Sequence, residues 1–231
     1  MLPWRELARA RAPGGGELSL HQRGEELVIR VDGDELMSSR QHASEERLAE
    51  LACAGFAQSN RVRVLVGGLG MGFTLRATLD QLGADAEVVV AEIAAPVVDW
   101  NRSHFGRLCG HPLADPRVTV QVTDVGKLIR TTEMRFDAIL LDIDNGPRAL
   151  TRRGNQALYS PAGLTAIWRA LRPGGCMGLW SAARHDDFER RLQRVGFEVT
   201  RHTARARGTR GARHEIYLGR VPARRVIGAG R

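Results

Sequence analysis

Two hydrophobic patterns divide the chain. Residues 17–21 and 26–31 alternate apolar and polar positions on either side of Gln22-Arg23-Gly24-Glu25, as in a β-hairpin with one buried face. Upstream, Pro13-Gly14-Gly15-Gly16 reads as a turn or hinge. Downstream, Asp32-Gly33 turns the chain into a short strand near Leu36. Leu48, Leu51, Ala52 and Phe56 then recur at helical spacing, which predicts a helix over 44–56. From residue 61 the alternation stops. Runs at 62–66, 87–93, 118–122, 136–141 and 176–180 are predominantly apolar. Each is followed by a helical pattern, at 73–82, 96–105, 125–130, 162–171 and 186–195. Such strands are buried on both faces, as in a parallel sheet covered by helices. Two last strands, 197–204 and 214–220, are joined through Gly208 and Gly211. With right-handed crossovers this is an α/β chain, a doubly wound sheet of seven strands, mostly parallel with one antiparallel. The expected organisation is a small N-terminal β-rich piece (1–60), the main domain (61–221) and a basic C-terminal tail (222–231).

Composition narrows the setting. At 43% hydrophobic and 26% charged residues, the 231-residue chain can bury a sizeable core and is not a disordered tail. No run approaches the ~18 apolar residues of a membrane span, and the start lacks a secretory pattern. Cys53, Cys109 and Cys176 are odd in number and widely spaced. Neither a disulfide framework nor a metal site follows from them, so a reducing cytoplasm is expected. The net charge of +8 is uneven: between Arg201 and Arg231 nine arginines face one acid, Glu215, and account for all of it. Nucleic acid is a conceivable partner for that end, but no aromatics interleave the arginines, which disfavours a base-stacking surface.

Candidate chemistry clusters where strands end. The first βα turn is Gly67-Gly68-Leu69-Gly70-Met71-Gly72-Phe73. Its glycines let a ligand approach the backbone at a helix start. Phe73 falls where a dinucleotide fingerprint needs a small residue, and no phosphate-binding G-x-x-x-x-G-K-[ST] exists. Glu92, before Ile93 at the second strand end, is placed to accept hydrogen bonds from two ribose hydroxyls. Asp124, before Val125, suits an adenine amino group, or the N-cap of the next helix, or both. Asp142 and Asp144 leave the fourth strand just before Asn145-Gly146-Pro147. Asp144 and Asn145 also fit turn chemistry, whereas a charge after Ile139-Leu140-Leu141 needs a partner or a function. All these positions lie on one edge of one sheet and together describe a nucleoside pocket without a phosphate grip.

With these residues in place, the stretch from Val62 to Ala182 resembles the S-adenosylmethionine-dependent transferase fold, and in detail the spermidine synthase (polyamine aminopropyltransferase) family. The resemblance is carried by VLVGGLGMGFTLRATL, VVVAEIAAPVVDWNR, DPRVTVQVTDVGKLIR, FDAILLDIDNGP and LYSPAGLTAIWRALRPGGCMGLWSA. It covers roughly two-thirds of the chain, and a small β-rich N-terminal piece also fits the family. It implies a nucleoside held by Gly68, Gly70, Gly72, Glu92 and Asp124, with Asp142 as the catalytic acid. Three positions depart from the family pattern. Met71 falls on the acid of its glycine loop, Asn145 on a second acid after the catalytic one, and residues 41–45 only partly echo its Tyr-His-Glu stretch.

The functional expectation is therefore a transferase with a sulfonium donor, either S-adenosylmethionine or its decarboxylated form. Catalysis would consist mainly of positioning an acceptor in line and removing a proton. Asp142 is the first candidate for that role and Asp144 the second. Tyr159, the third catalytic candidate, follows a segment, 145–158, that would cover the site, with Arg148, Arg152 and Arg153 on it. Trp180 could line the acceptor pocket or lie in the core. Met71 and Ile93 join the glycines, Glu92, Asp124, Val125 and Asp142 as the expected donor-binding set, and no metal is expected. Met71 in place of an acid would spare the donor carboxylate a repulsion, so methyl transfer from S-adenosylmethionine to a small-molecule acceptor is the leading expectation. Aminopropyl transfer from the decarboxylated donor to an amine is the alternative. A non-catalytic nucleoside- or RNA-binding protein is the third reading, with a homodimer open in each case.

Overall fold

The computed structural model describes residues 2–143 and 157–223. The chain opens with four antiparallel strands, β1 (Arg5–Arg11), β2 (Glu17–Arg23), β3 (Glu26–Val31) and β4 (Asp34–Ser38), paired in that order. The hairpin and the short fourth strand lie where alternation places them. β1 was not foreseen: its sequence RELARAR reads as polar, and only Leu7, Ala8 and Ala10 pack against the core.

Seven strands form the second sheet: β5 (Arg63–Gly67), β6 (Glu87–Glu92), β7 (Val118–Val122), β8 (Phe136–Leu141), β9 (Leu171–Ser181), β10 (Glu198–Arg207) and β11 (Arg210–Arg220). Their order is β10-β11-β9-β8-β5-β6-β7. β5 through β9 pair in parallel, and β11 runs antiparallel to both neighbours. The doubly wound mixed sheet expected from the pattern is thus the observed one. From β5 the chain steps outward to β6 and β7, then returns past β5 to β8. That reversal opens a crevice at the carboxyl ends of β5, β6 and β8, where open α/β sheets hold ligands.

Among the described residues the α-helices are α1 (Ala43–Cys53), α2 (Phe73–Asp80), α3 (Ala95–Trp100), α4 (Val125–Arg130), α5 (Pro161–Ala170) and α6 (Asp186–Val195). α3 stops earlier than its periodicity predicts and continues as a π-helical turn, Asn101–Phe105. There the Asn101 amide donates to the carbonyls of Gly70 (2.8 Å) and Val97 (2.9 Å), so the distorted turn is tied to the glycine loop.

Strand residues alternate between two cores. Val64, Val66, Ala138 and Leu140 face one side with α1, α2, α3 and Leu18, Leu20, Leu27 and Ile29 of the small sheet. Leu65, Ile139 and Leu141 face the other with α5, α6 and Tyr217. α1 belongs by sequence to the N-terminal piece but packs against α2 and β9. Its Leu48 and Ala52 fit against Gly178, where any side chain would come within about 3 Å of both. Among the described residues no helix is long and apolar enough to cross a membrane.

Candidate active site

The turn from β5 into α2 is shaped by backbone geometry. Gly68 has φ +87°, and a Cβ there would lie 2.2 Å from the Asp142 carbonyl oxygen. Only glycine permits both the angle and the approach. Gly68 N–H donates to the Ala91 carbonyl (2.9 Å), and Asp142 N–H to the Gly67 carbonyl (2.9 Å), so the ends of β5, β6 and β8 are stitched together. Glu92 completes the stitching. One carboxylate oxygen accepts from Leu69 N–H (2.9 Å) and the other from Ala94 N–H (2.8 Å). A charged acceptor on two backbone donors fixes the loop.

Beside this loop lies a cavity of about 230 Å³, just below the usual range of roughly 300–1,000 Å³ for small-molecule pockets. Gly68, Gly70, Glu92, Ile93, Asp124, Val125 and Asp142, all expected on sequence grounds, line it together. Asp124 also caps α4, accepting from Lys127 N–H at 2.8 Å, so the capping role is real and the side chain still borders the cavity. Trp180 lines the cavity too. The far wall is aliphatic and comes from the small sheet: Leu18, Ile29, Val31, Leu36 and Met37, with the turn at Pro13-Gly14-Gly15 above them.

Other expected residues lie elsewhere. Met71 is 2% exposed in the core, and its carbonyl accepts a weak bond from the Cys109 thiol (3.6 Å). Gly72 is the left-handed N-cap of α2 and does not border the cavity. Tyr159 is buried in the opposite core, edge-on to Phe188 at 5.9 Å. Asp144, Asn145, Arg148, Arg152, Arg153 and most of the tail at 222–231 lie outside the described residues. Of the basic C-terminal strands, Arg201 is paired with Glu189 (2.8 Å) and Glu215 (3.1 Å), and none of their arginines lines the cavity.

Sequence reasoning missed Glu45, which enters the cavity from the first turn of α1. The signal was faint: residues 41–45 carry a carboxylate in an otherwise partial match, and nothing local shows which way it points. In the fold it joins Asp142. Burial raises the Asp142 carboxyl to about 6, against the opposing effect of Thr74, whose hydroxyl donates to it at 2.6 Å. Glu45 is pushed well up, first by burial, then by the charge of Asp142 and then by Glu46. No Lys or Arg pairs with either acid among the described residues. Such a pair calls for a proton or a cationic ligand.

The spermine/spermidine synthase domain model matches residues 41–185. The chain belongs to this family. A polyamine aminopropyltransferase of Leptospira biflexa is 33% identical over 151 residues, 64% of this chain and 50% of that protein. Another, of Korarchaeum cryptofilum, is 27% identical over 126 residues, 54% of this chain and 37% of that protein. The chain therefore spans half or less of the curated relatives it matches. The solved spermidine synthase of Thermotoga maritima covers 94% of this chain, which in turn covers 72% of it, with a TM-score of 0.75 at 17% identity. A probable spermidine synthase of Corynebacterium glutamicum gives 0.66 at 17% identity, with 94% and 79% covered. At that identity the likeness is one of fold.

Family membership corrects the expectation of methyl transfer. The matching family and the relatives are named for polyamine aminopropyl chemistry. The physical ground for preferring S-adenosylmethionine also fails, because the Met71 side chain is in the core and does not line the cavity.

Proposed function

We propose that this protein transfers the aminopropyl group of decarboxylated S-adenosylmethionine to an amine acceptor. The observation that carries the reading is the Glu45–Asp142 pair in the cavity, two carboxylates without a described counter-cation. Donor and acceptor are both cationic, so each complements that floor. A donor carboxylate, present only in S-adenosylmethionine, would be repelled by it.

The residues present suit the donor. Gly68 lets the loop close onto the end of β8, while Glu92, Ile93, Asp124 and Val125 border the side of the cavity suited to a nucleoside. When bound, the donor supplies a sulfonium-activated carbon, so the protein need not create an electrophile. Asp142, fixed by Thr74 and by its own backbone bond to Gly67, holds the acceptor amine against that carbon. The aliphatic wall from β2, β3 and β4 excludes water from the reacting centre. Three buried thiols, all unpaired, are consistent with a reducing cytoplasm.

The test is a product assay. Incubation with the decarboxylated donor and a panel of linear amines should yield methylthioadenosine and an amine longer by one aminopropyl unit, detected by mass spectrometry. Turnover of S-adenosylmethionine to a methylated product, with none from the decarboxylated donor, would overturn the reading.

A further inference from the structure

We propose that Glu45 is the group that takes the proton from the acceptor amine, working beside an ionised Asp142 that holds the same amine. The inference rests on the aminopropyl-transfer reading and assigns a second acid to that site.

The first turn of α1 is clamped so that Glu45 faces the cavity. The Trp180 indole N–H donates to the Ser44 hydroxyl at 3.0 Å, and that hydroxyl lies 2.9 Å from His214 Nδ1. Burial lowers His214 and favours its neutral ring, whose Nδ1 is then able to accept from Ser44. On the other side His42 stacks on Phe73 at 4.1 Å and engages Glu46 at 2.8 Å. Ser44 and Glu46 are thus turned to protein partners. Glu45 lies between them and borders the cavity with Gly68, Gly70, Asp142 and Trp180.

The two acids are not equivalent. Thr74 donates to Asp142 and favours its charged form; among the described residues nothing donates to the Glu45 carboxylate. The titratable and charged groups on the elements around α1 include Asp142 after β8, Arg76 on α2, Arg172 on β9, His202 and Arg205 on β10, and His214, Glu215 and Arg220 on β11. Arg76 is bound to Asp80, Arg172 to Asp137 and Glu215 to Arg201. The charges that bear on Glu45 are those of Asp142 and, on its own helix, Glu46. Of the two acids, Glu45 is therefore the one on which a proton is favoured.

An arriving ammonium supplies the missing positive charge, and the Glu45 proton leaves to solvent. Glu45, now ionised, removes one proton from the ammonium and frees the nitrogen lone pair. The nitrogen forms a C–N bond as the C–S bond breaks, and the departing electron pair stays on sulfur as a neutral thioether. The product leaves as a secondary ammonium, and the extra proton passes from Glu45 to water.

Glu45→Gln keeps the shape of the neutral acid, and its melting curve should match or exceed that of the parent protein. Calorimetry of 1,4-diaminobutane binding in two buffers of different ionisation enthalpy should show release of a proton by the parent protein and none by E45Q. With the decarboxylated donor, E45Q should lose at least about tenfold in kcat and the acidic limb of the pH profile. E45D should recover both in part. Unchanged proton release and an unchanged profile in E45Q would overturn the assignment. Proton release by the parent protein without aminopropyl product would overturn the aminopropyl reading and leave Glu45 as the amine-responsive acid.

Discussion

Asp142 follows the fully buried residues Ala138, Ile139, Leu140 and Leu141, and its carboxyl rises from 3.8 to about 6 because burial disfavours the charge. Between those values the native protein holds a proton that the unfolded chain has released. Stability therefore falls as pH rises through that window, by at most about 3 kcal/mol. Asp142→Asn removes this cost. The variant should melt several degrees higher than the parent protein at pH 8, with the difference closing toward pH 4, while turnover drops ~100-fold or more. Scanning calorimetry across pH, beside the product assay, checks both; a variant less stable at pH 8 would refute the burial cost. Glu92 behaves differently. Its carboxylate holds the Leu69 and Ala94 N–H groups, so Glu92→Ala should cost stability, about 2–3 kcal/mol, as well as nucleoside affinity. Lost affinity with an unchanged melting curve would show that the loop stands without it.

At the scale of elements, the site depends on how closely the loop after β5 approaches the end of β8. Gly68→Ala meets the Asp142 carbonyl at 2.2 Å and forces a positive φ on a side-chain-bearing residue. Backbone cannot swing aside as a side chain can, so either the loop or the end of β8 must move. Nucleoside binding should disappear and stability should fall by about 2 kcal/mol or more. Calorimetric titration with methylthioadenosine and urea melts would show it; retained affinity would mean that the loop has another way to seat the ligand. α1 is the second element on which the site depends. It carries Glu45, and its first turn is held by Trp180 and His214, more than a hundred residues further along the chain.

For the molecule as a whole, the small sheet is part of the main core. Leu18, Leu20, Leu27 and Ile29 share one cluster with α1, α2 and the central strands, and the sheet supplies the aliphatic wall of the cavity. Unfolding in urea should therefore be a single transition, with tryptophan fluorescence and far-ultraviolet circular dichroism coincident. Trp4 reports on the small sheet, where Arg23 lies over its ring at 4.4 Å, while Trp100 reports on the main core. An early, separate loss of β signal would show instead that the small sheet folds independently.

The seven-stranded sheet was legible because the strands of a covered parallel sheet are predominantly apolar and each is followed by a helical pattern, so the local pattern carries the β-α succession. The lining of the cavity at the strand ends was legible for the same reason: glycines and acids at strand ends share one edge whenever the strands are parallel. α4, β8 and α6 match their predicted bounds, whereas β1 was missed because an Arg- and Ala-rich edge strand buries too little to leave a pattern. What each side chain faces was decided by tertiary packing. Met71, inside the glycine loop, turns into the core, whereas Glu45, well upstream on α1, turns into the cavity. The placing of Glu45 comes from α1 docking on β9 and β11, contacts between residues 44, 180 and 214 that no local periodicity encodes. The sequence by itself determined the sheet and the edge where the candidate site lies; only the packed chain decided which acids meet there, because burial and charge pairing depend on neighbours brought together from far along the chain.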